Sequence, residues 1–212
     1  MSNVLIVESE NDKFFIEALI TNISANIEIG QPICAIDEYE CLGGMSNLEE
    51  RLRALTHRII KGEIDRVGII FDADAVGIEE RTDQIQEKID LIVAELPEES
   101  NKVKFFIYIQ NSEGHGELET VLKAIKSEDA IVADCLESWQ ECLPDNKKLS
   151  SKEFDKFWIQ IYQRYDCCTK KEQKQAGLKC NNEVSLKEKA IWNFDNKILN
   201  DLKKFLNELG DE

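Results

Sequence analysis

The sequence predicts an α/β fold, with a mainly parallel four-stranded sheet flanked by helices and followed by a helical C-terminal extension. Short apolar runs alternate with amphipathic helical patterns in the first half of the chain, which is typical of parallel α/β sheets. The clearest run, residues 67–71, is rich in β-branched residues and too short for a helix, so it predicts a buried strand. The second half shows helical periodicity only.

Four apolar runs predict the strands, at residues 3–8, 33–37, 67–71 and 103–109. Three helices separate them. The first has its apolar positions between Phe15 and Ile23, and the third covers about 79–96. The second is expected to begin at Ser46, which forms a capping-box pattern with Glu49, and to end near Gly62.

Beyond residue 116 the apolar spacing predicts helices at 117–126, 128–143, 152–165 and 196–209. The polar, lysine-rich stretch 166–183 predicts a mobile loop. We therefore expect an α/β core at residues 1–126 and a helical extension at 127–212 that packs on it.

Composition bounds the classes of function. The 212 residues are 42% hydrophobic and 32% charged, as in ordinary globular proteins. The chain has no apolar run of the roughly 20 residues that a membrane helix needs and no signal-peptide pattern, so we expect a cytoplasmic protein without membrane association. The net charge of −16 disfavours unassisted binding to nucleic acid, so phosphodiester chemistry would need metal ions, a local basic patch or a basic partner.

Several kinds of site have no support in the sequence. The spacing of the seven cysteines along the chain is not that of a disulfide framework. A zinc site formed by Cys167, Cys168 and Cys180 is an alternative that lacks the usual ligand spacing. The phosphate-binding loop, the dinucleotide-binding glycine motif and a nucleophile with a nearby motif histidine are all missing.

Acidic residues follow the predicted strands at Glu8, Asp37, Asp72 and Asp74. Parallel sheets bind ligands beyond the carboxyl ends of their strands. Strand alternation points Asp72 and Asp74 the same way, and a divalent cation would relieve their repulsion. The alternative is that both acids only cap the next helix. Capping is favoured for Asp12, and Asp37 either assists or is merely solvated.

Glu8 after the first strand, together with Asp72-Ala73-Asp74 after the third, resembles the two signatures of the Toprim domain. Ser9 stands where that family usually has glycine. The resemblance covers about residues 3–125. Gly43-Gly44 and the motif 116–119 (Gly-Glu-Leu-Glu) resemble more closely a group of small standalone Toprim-like proteins known only as a domain of unknown function, which are distant relatives of nucleases of the overcoming-lysogenisation-defect type.

The resemblance implies hydrolysis of phosphodiester bonds in nucleic acid or nucleotides, with Mg²⁺ or alternatively Mn²⁺ as cofactor. Asp72 and Asp74 would be metal ligands, and Glu8 a ligand or a general acid–base. Such ions bind carboxylates, water and phosphate oxygens, and they activate water and clamp phosphates. Glu119 would be a third carboxylate, unless it is an exposed acid in the first turn of a helix.

Candidate substrate-binding residues surround this edge. Gly43 and Gly44 either allow a backbone to approach a ligand closely or form a plain turn. Arg53 and Lys61 share one face of the second helix, which either steers a phosphate backbone or is a solvated, ion-paired face. His115, in a predicted loop near the site, is either catalytic or merely exposed.

A binding module from another class remains the alternative function. Such a module would keep the acidic pocket and act by binding a protein partner such as an ATPase. The net charge of −16 favours this alternative, whereas three acids kept together at a cost in repulsion favour the enzyme. A role in phage defence is suggested by family analogy alone.

Overall fold

The computed structural model describes residues 2–33, 44–98, 102–111, 114 and 116–210. It has an α/β fold with a four-stranded sheet of order β2-β1-β3-β4, in which all neighbouring strands are parallel. The predicted fold class is therefore confirmed. The strands are β1 Ser2–Val7, β2 Glu28–Ile29, β3 Ile64–Asp72 and β4 Lys104–Gln110.

The second strand lies earlier in the chain than predicted. Glu28 and Ile29 of β2 pair with Val4 and Leu5, and the predicted residues 34–37 lie outside the described part of the chain. A two-residue edge strand has no apolar run to mark it in the sequence. The chain nevertheless stays beside β1, because the Ile33 N–H donates a hydrogen bond to the Val7 carbonyl (3.1 Å).

Helices account for most of the remaining described chain. They are α1 Glu10–Ile23, α2 Gly44–Ile60, α3 Ile78–Glu95, α4 Leu118–Ala124, α5 Ile131–Glu141, α6 Ser151–Ile161, α7 Ala176–Lys179, α8 Asn182–Lys187 and α9 Asn200–Gly210. Because α2 begins at Gly44, Ser46 lies inside the helix and the predicted N-cap is wrong. Among the described residues, no helix combines the length and the apolar character needed to cross a membrane.

The stretch 166–183 is not the loop that its polarity predicted. It contains a 3₁₀ turn at Glu172–Gln175, the helix α7 and the start of α8. A disulfide joins Cys168 to Cys180 across this segment, against the expectation from the cysteine spacing. These elements are short and bury few apolar residues, so they leave no apolar stripe in the sequence. The same bond engages two of the three cysteines of the alternative zinc site.

The sheet has a hydrophobic core on each face. On one face, α2 and α3 bury residues such as Leu52 and Ile85. On the other face, Leu5 and Phe15 form one core with Trp158 and Leu206, which belong to the C-terminal segment. Residues beyond 126 thus complete the core of the sheet rather than forming a separate hydrophobic unit, and they bring α6 close to α4 at the carboxyl edge of the strands.

Candidate metal-binding and catalytic site

Three polar side chains meet where β1, β3 and β4 end. Because the strands are parallel, Glu8, Asp72 and Gln110 come to the same edge of the sheet. The Asp72 N–H donates to Glu8 Oε2 (3.4 Å), and Gln110 Nε2 donates to Asp72 Oδ1 (3.2 Å). This brings together Glu8 and Asp72 as predicted. Gln110 was missed, because a neutral amide after a strand carries no acidic signal.

Asp12 caps a helix and also faces the site. Ser9 and Asp12 form a capping box at the start of α1, with the Ser9 N–H donating to Asp12 Oδ2 (2.9 Å) and the Asp12 N–H donating to Ser9 Oγ (3.2 Å). The hydroxyl explains locally why serine stands here instead of glycine. The other oxygen, Oδ1, accepts a long bond from Gln110 Nε2 (3.5 Å), and Asp12 is only 3% exposed.

Asp74 does not share the environment of Asp72. Its φ of 47° lies in the left-handed region, so strand alternation ends before it and the prediction that both acids point alike is not fulfilled. Its backbone pairs with Gly116 (3.0 and 3.3 Å). Its carboxylate accepts hydrogen bonds from Arg81 and Lys152, both at 2.9 Å. The capping alternative is also wrong for both acids, because Gly77 is the N-cap of α3.

The start of α4 adds two buried acids. Glu119 is 8% exposed, so it is not the solvated first-turn acid that the sequence left open. Glu117, the N-cap, is 4% exposed, and its Oε2 lies 3.0 Å from Lys152 Nζ and 3.6 Å from Lys156 Nζ. Glu117 belongs to the motif 116–119, but sequence reasoning missed it as a site residue because the resemblance implied a carboxylate role for Glu119 alone.

Comparison with known proteins assigns the family. The family described as "Protein of unknown function (DUF3226)" matches residues 2–211. The chain belongs to the DUF3226 family. No curated protein and no solved structure matches it. The family match covers both the acids on the sheet and the lysines on α6, so the whole candidate site lies within the DUF3226 region.

Burial and mutual repulsion raise several pKa values in this DUF3226 site. Burial, followed by the charges of Asp12 and Asp74, raises the pKa of Glu8 to about 7. Burial, followed by the charge of Glu117, raises the pKa of Glu119 to about 7. The pKa of Asp72 is raised well above its usual range by burial and then by its acidic neighbours, and burial also raises that of Asp12. Protons therefore remain on part of this cluster near neutral pH.

The donor set suits a hard divalent cation. Six carboxylates gather here, and among the described residues three cationic side chains pair with them, namely Arg81, Lys152 and Lys156. Gln110 Oε1 and Glu117 Oε1 are buried and have no hydrogen-bond partner among the described residues, so each has a free lone pair. Oxygen atoms of this kind are the ligands of Mg²⁺ and Mn²⁺. As the side chains stand, no three of the described acidic, cysteine or histidine groups form a ready ligand set, so a cation could be held here only after side chains move.

The predicted substrate-binding residues have mixed outcomes. Gly43 and His115 lie outside the described residues, and Gly44 is the first residue of α2. Arg53 pairs with Glu49 (3.0 Å) and with Glu95, which supports the alternative of a solvated, ion-paired face.

Lys61 lies at the opposite end of the sheet from the acidic site, not beside it as predicted. It follows the C-terminus of α2 and precedes β3, whereas Asp72 ends β3. The nine residues of β3 separate the two ends of the sheet by roughly 25 Å, at ~3.3 Å per residue. Arg53 lies in α2 as predicted, but Lys61 is one residue beyond its end, and the helical spacing could not show at which end of the sheet the lysine would lie.

Proposed function

We propose that this protein hydrolyses phosphodiester bonds in nucleic acid or nucleotides, using Mg²⁺ or Mn²⁺ bound at the acidic edge of the sheet. The observation that carries the proposal is the convergence of buried and half-buried carboxylates, at the ends of β1 and β3 and the starts of α1 and α4, with too few cationic partners. The order of the acids along the chain, which resembles the Toprim pattern, supports the same reaction. A divalent cation would restore the charge balance that the side chains lack.

The residues divide into groups by environment. Asp72, Glu119 and the free oxygens of Gln110 and Glu117 would hold the metal ion, with Asp74 joining if its lysine partner moves. Glu8 has a pKa of about 7, so it can accept and donate a proton near neutral pH and suits a general acid–base. A bound divalent cation would supply charge neutralisation at the phosphate and a more acidic water. Arg81 fixes the turn after β3 by donating to the Asp72 carbonyl (3.1 Å) and to Asp74.

Calorimetric titration of Mg²⁺ and Mn²⁺ tests the metal site. We expect wild-type protein to bind at sub-millimolar affinity and Asp72→Asn to lose measurable binding, because Asp72 lies at the centre of the carboxylate cluster. Asp83→Asn is the matched control, since Asp83 is an exposed acid of α3. Equal affinity in wild type and Asp72→Asn would place any metal elsewhere. Cleavage assays with DNA, RNA and a simple phosphodiester then define the substrate.

The raised pKa values predict a pH-dependent stability in metal-free protein. A carboxyl group whose pKa rises on folding binds its proton more tightly in the folded state, so its stabilisation is complete below about pH 4.5 and is lost as the pH rises through about 7. We expect the melting temperature to fall by several degrees between pH 5 and pH 8, and Mg²⁺ to reverse the fall at pH 8. Scanning calorimetry of wild type and of Glu8→Gln/Glu119→Gln measures this. If the melting temperature of the double variant falls as steeply with pH as that of wild type, Glu8 and Glu119 are not the groups that cause the fall.

The surface of α5 supports the alternative of a partner-binding module. Ile131 is 72% exposed, and Val132 and Trp139 are also exposed. Exposed apolar patches often mark protein–protein contacts. If binding a partner such as an ATPase is the whole function, Glu8→Gln will leave that function intact while Trp139→Ser weakens it. If the protein is an enzyme, Glu8→Gln will weaken its function and Trp139→Ser will leave it intact.

A further inference from the structure

Lys152 occupies an unusual position at the edge of the acidic site. It lies in the first turn of α6, and its ammonium group is 2.9 Å from Asp74 Oδ1 and 3.0 Å from Glu117 Oε2. A cation in the first turn of a helix opposes the helix dipole. The contacts with two carboxylates offset this unfavourable position. One lysine from the C-terminal segment therefore neutralises acids that come from β3 and from α4.

The helix that carries Lys152 is held by a cap and by core contacts, whereas the Lys152 side chain is half exposed. Ser150 and Glu153 form a capping box at the start of α6, Trp158 is fully buried, and Asp155 accepts a hydrogen bond from the Thr120 hydroxyl (3.0 Å). The Lys152 side chain is 55% exposed. A long, flexible lysine on a fixed helix can exchange partners by rotation alone, without rearrangement of the backbone.

A cavity of about 410 Å³ opens beside this lysine. Its walls come from the turn after β3, the start of α4 and the start of α6, including Asp74, Gly116, Glu117, Thr120, Ser151 and Lys152. The space is large enough for a phosphate group and the adjoining sugar. The ammonium group of Lys152 would attract an anion there.

We propose that Lys152 is an electrostatic latch that couples metal binding to phosphodiester binding. In the metal-free protein the lysine neutralises Asp74 and Glu117. A phosphate in the cavity draws the ammonium away and leaves both carboxylates to the metal ion, and a metal ion at those carboxylates releases the lysine to the phosphate. Each ligand therefore raises the affinity for the other by the same factor. This inference rests on the proposed function, because its two ligands are the metal and the substrate of that reaction.

Calorimetry of the 212-residue protein measures the latch directly. Mn²⁺ is titrated with and without a saturating short phosphorothioate oligonucleotide, which resists hydrolysis. We expect the oligonucleotide to increase the Mn²⁺ affinity of wild type at least about fivefold, the lower end of typical coupling between sites. In Lys152→Met, Mn²⁺ alone should bind more tightly than in wild type because its competitor is gone, and the oligonucleotide should no longer increase the affinity.

Two matched variants separate the latch from general electrostatics. Lys156→Met removes a charge near Glu117 but not the bridge to Asp74, so its coupling should persist. Lys148→Met removes a lysine that pairs with Asp145 (2.8 Å), and it should behave as wild type.

The possible results bear differently on the two proposals. Metal binding by wild type without any effect of the oligonucleotide would overturn the latch and leave the proposed function standing. Coupling that survives in Lys152→Met would overturn it as well. A wild type that binds no Mn²⁺ with or without the oligonucleotide would overturn the proposed function and the latch with it.

Discussion

Glu8→Gln is expected to reduce phosphodiester hydrolysis by about 10²–10⁴-fold, the usual contribution of a general acid–base, and at the same time to raise the melting temperature of the metal-free protein. Burial of Glu8, followed by the charges of Asp12 and Asp74, opposes its ionisation. The amide is neutral and has nearly the same shape, and it can still accept the hydrogen bond from the Asp72 N–H. Initial rates and scanning calorimetry on the same samples measure both effects.

Glu10→Gln is the matched control for Glu8→Gln. Glu10 begins α1 two residues further along the chain, and it takes no part in the hydrogen bonds that join Glu8, Asp12 and Asp72. This control should retain wild-type rates and show little change in melting temperature. If Glu8→Gln also retained wild-type rates, Glu8 would have no role in the chemistry. If it lost activity and melted at a lower temperature, its role would be structural.

A loss of activity together with a rise in melting temperature distinguishes a functional carboxylate from a structural one. A carboxylate placed for packing or capping stabilises the fold, and its removal lowers the melting temperature. A carboxylate held among other buried acids destabilises the fold, so its retention needs a functional reason. Asp72→Asn should behave in the same way, since burial and four acidic neighbours raise the pKa of Asp72.

The sequence predicted the part of the site that depends on strand ends. Glu8 and Asp72 follow apolar runs, and parallel strands must bring such residues to one edge. Asp74 shows the limit of that reasoning, because one residue beyond the strand the backbone turns into the left-handed region and alternation no longer applies. Lys152 could not be predicted at all, since 78 residues separate it from Asp74 and only the packing of α6 brings them together.

In the fold too, the elements with a local sequence pattern were predictable, and the elements that depend on distant packing were not. Long periodic segments such as α3 were predicted within a residue or two, because their buried stripe is visible in the sequence. The edge strand β2 and the short helices α7 and α8 bury too few apolar residues to leave such a stripe. Their placement depends on the distant residues against which they pack, and a short stretch of sequence does not show which residues those are.

The largest expected effect on stability comes from Gly68, in the middle of β3. A Cβ at this position would lie 2.5 Å from Leu209 Cδ2, 2.9 Å from Leu5 Cδ1 and 3.2 Å from Phe205 Cζ, so α9 packs this closely on the sheet because the residue has no side chain. We expect Gly68→Ala to cost about 1–3 kcal/mol through overpacking. In a chain of this length each kcal/mol lowers the melting temperature by about 2–4 °C. Thermal and urea unfolding measure the loss.

Gly177→Ala controls for the general effect of adding a methyl group, because apart from its own helix backbone and chain neighbours nothing lies within 4 Å of the Cβ that it would add. It should be neutral or slightly stabilising, since alanine favours helix. Leu209→Ala tests the cause. Alone it leaves a cavity, but combined with Gly68→Ala it makes room for the new methyl group, so the double variant should be more stable than the sum of the single losses predicts. Strict additivity would mean that α9 does not pack against β3 at Gly68. A favourable coupling would make the C-terminal helix part of the core that positions the acidic edge.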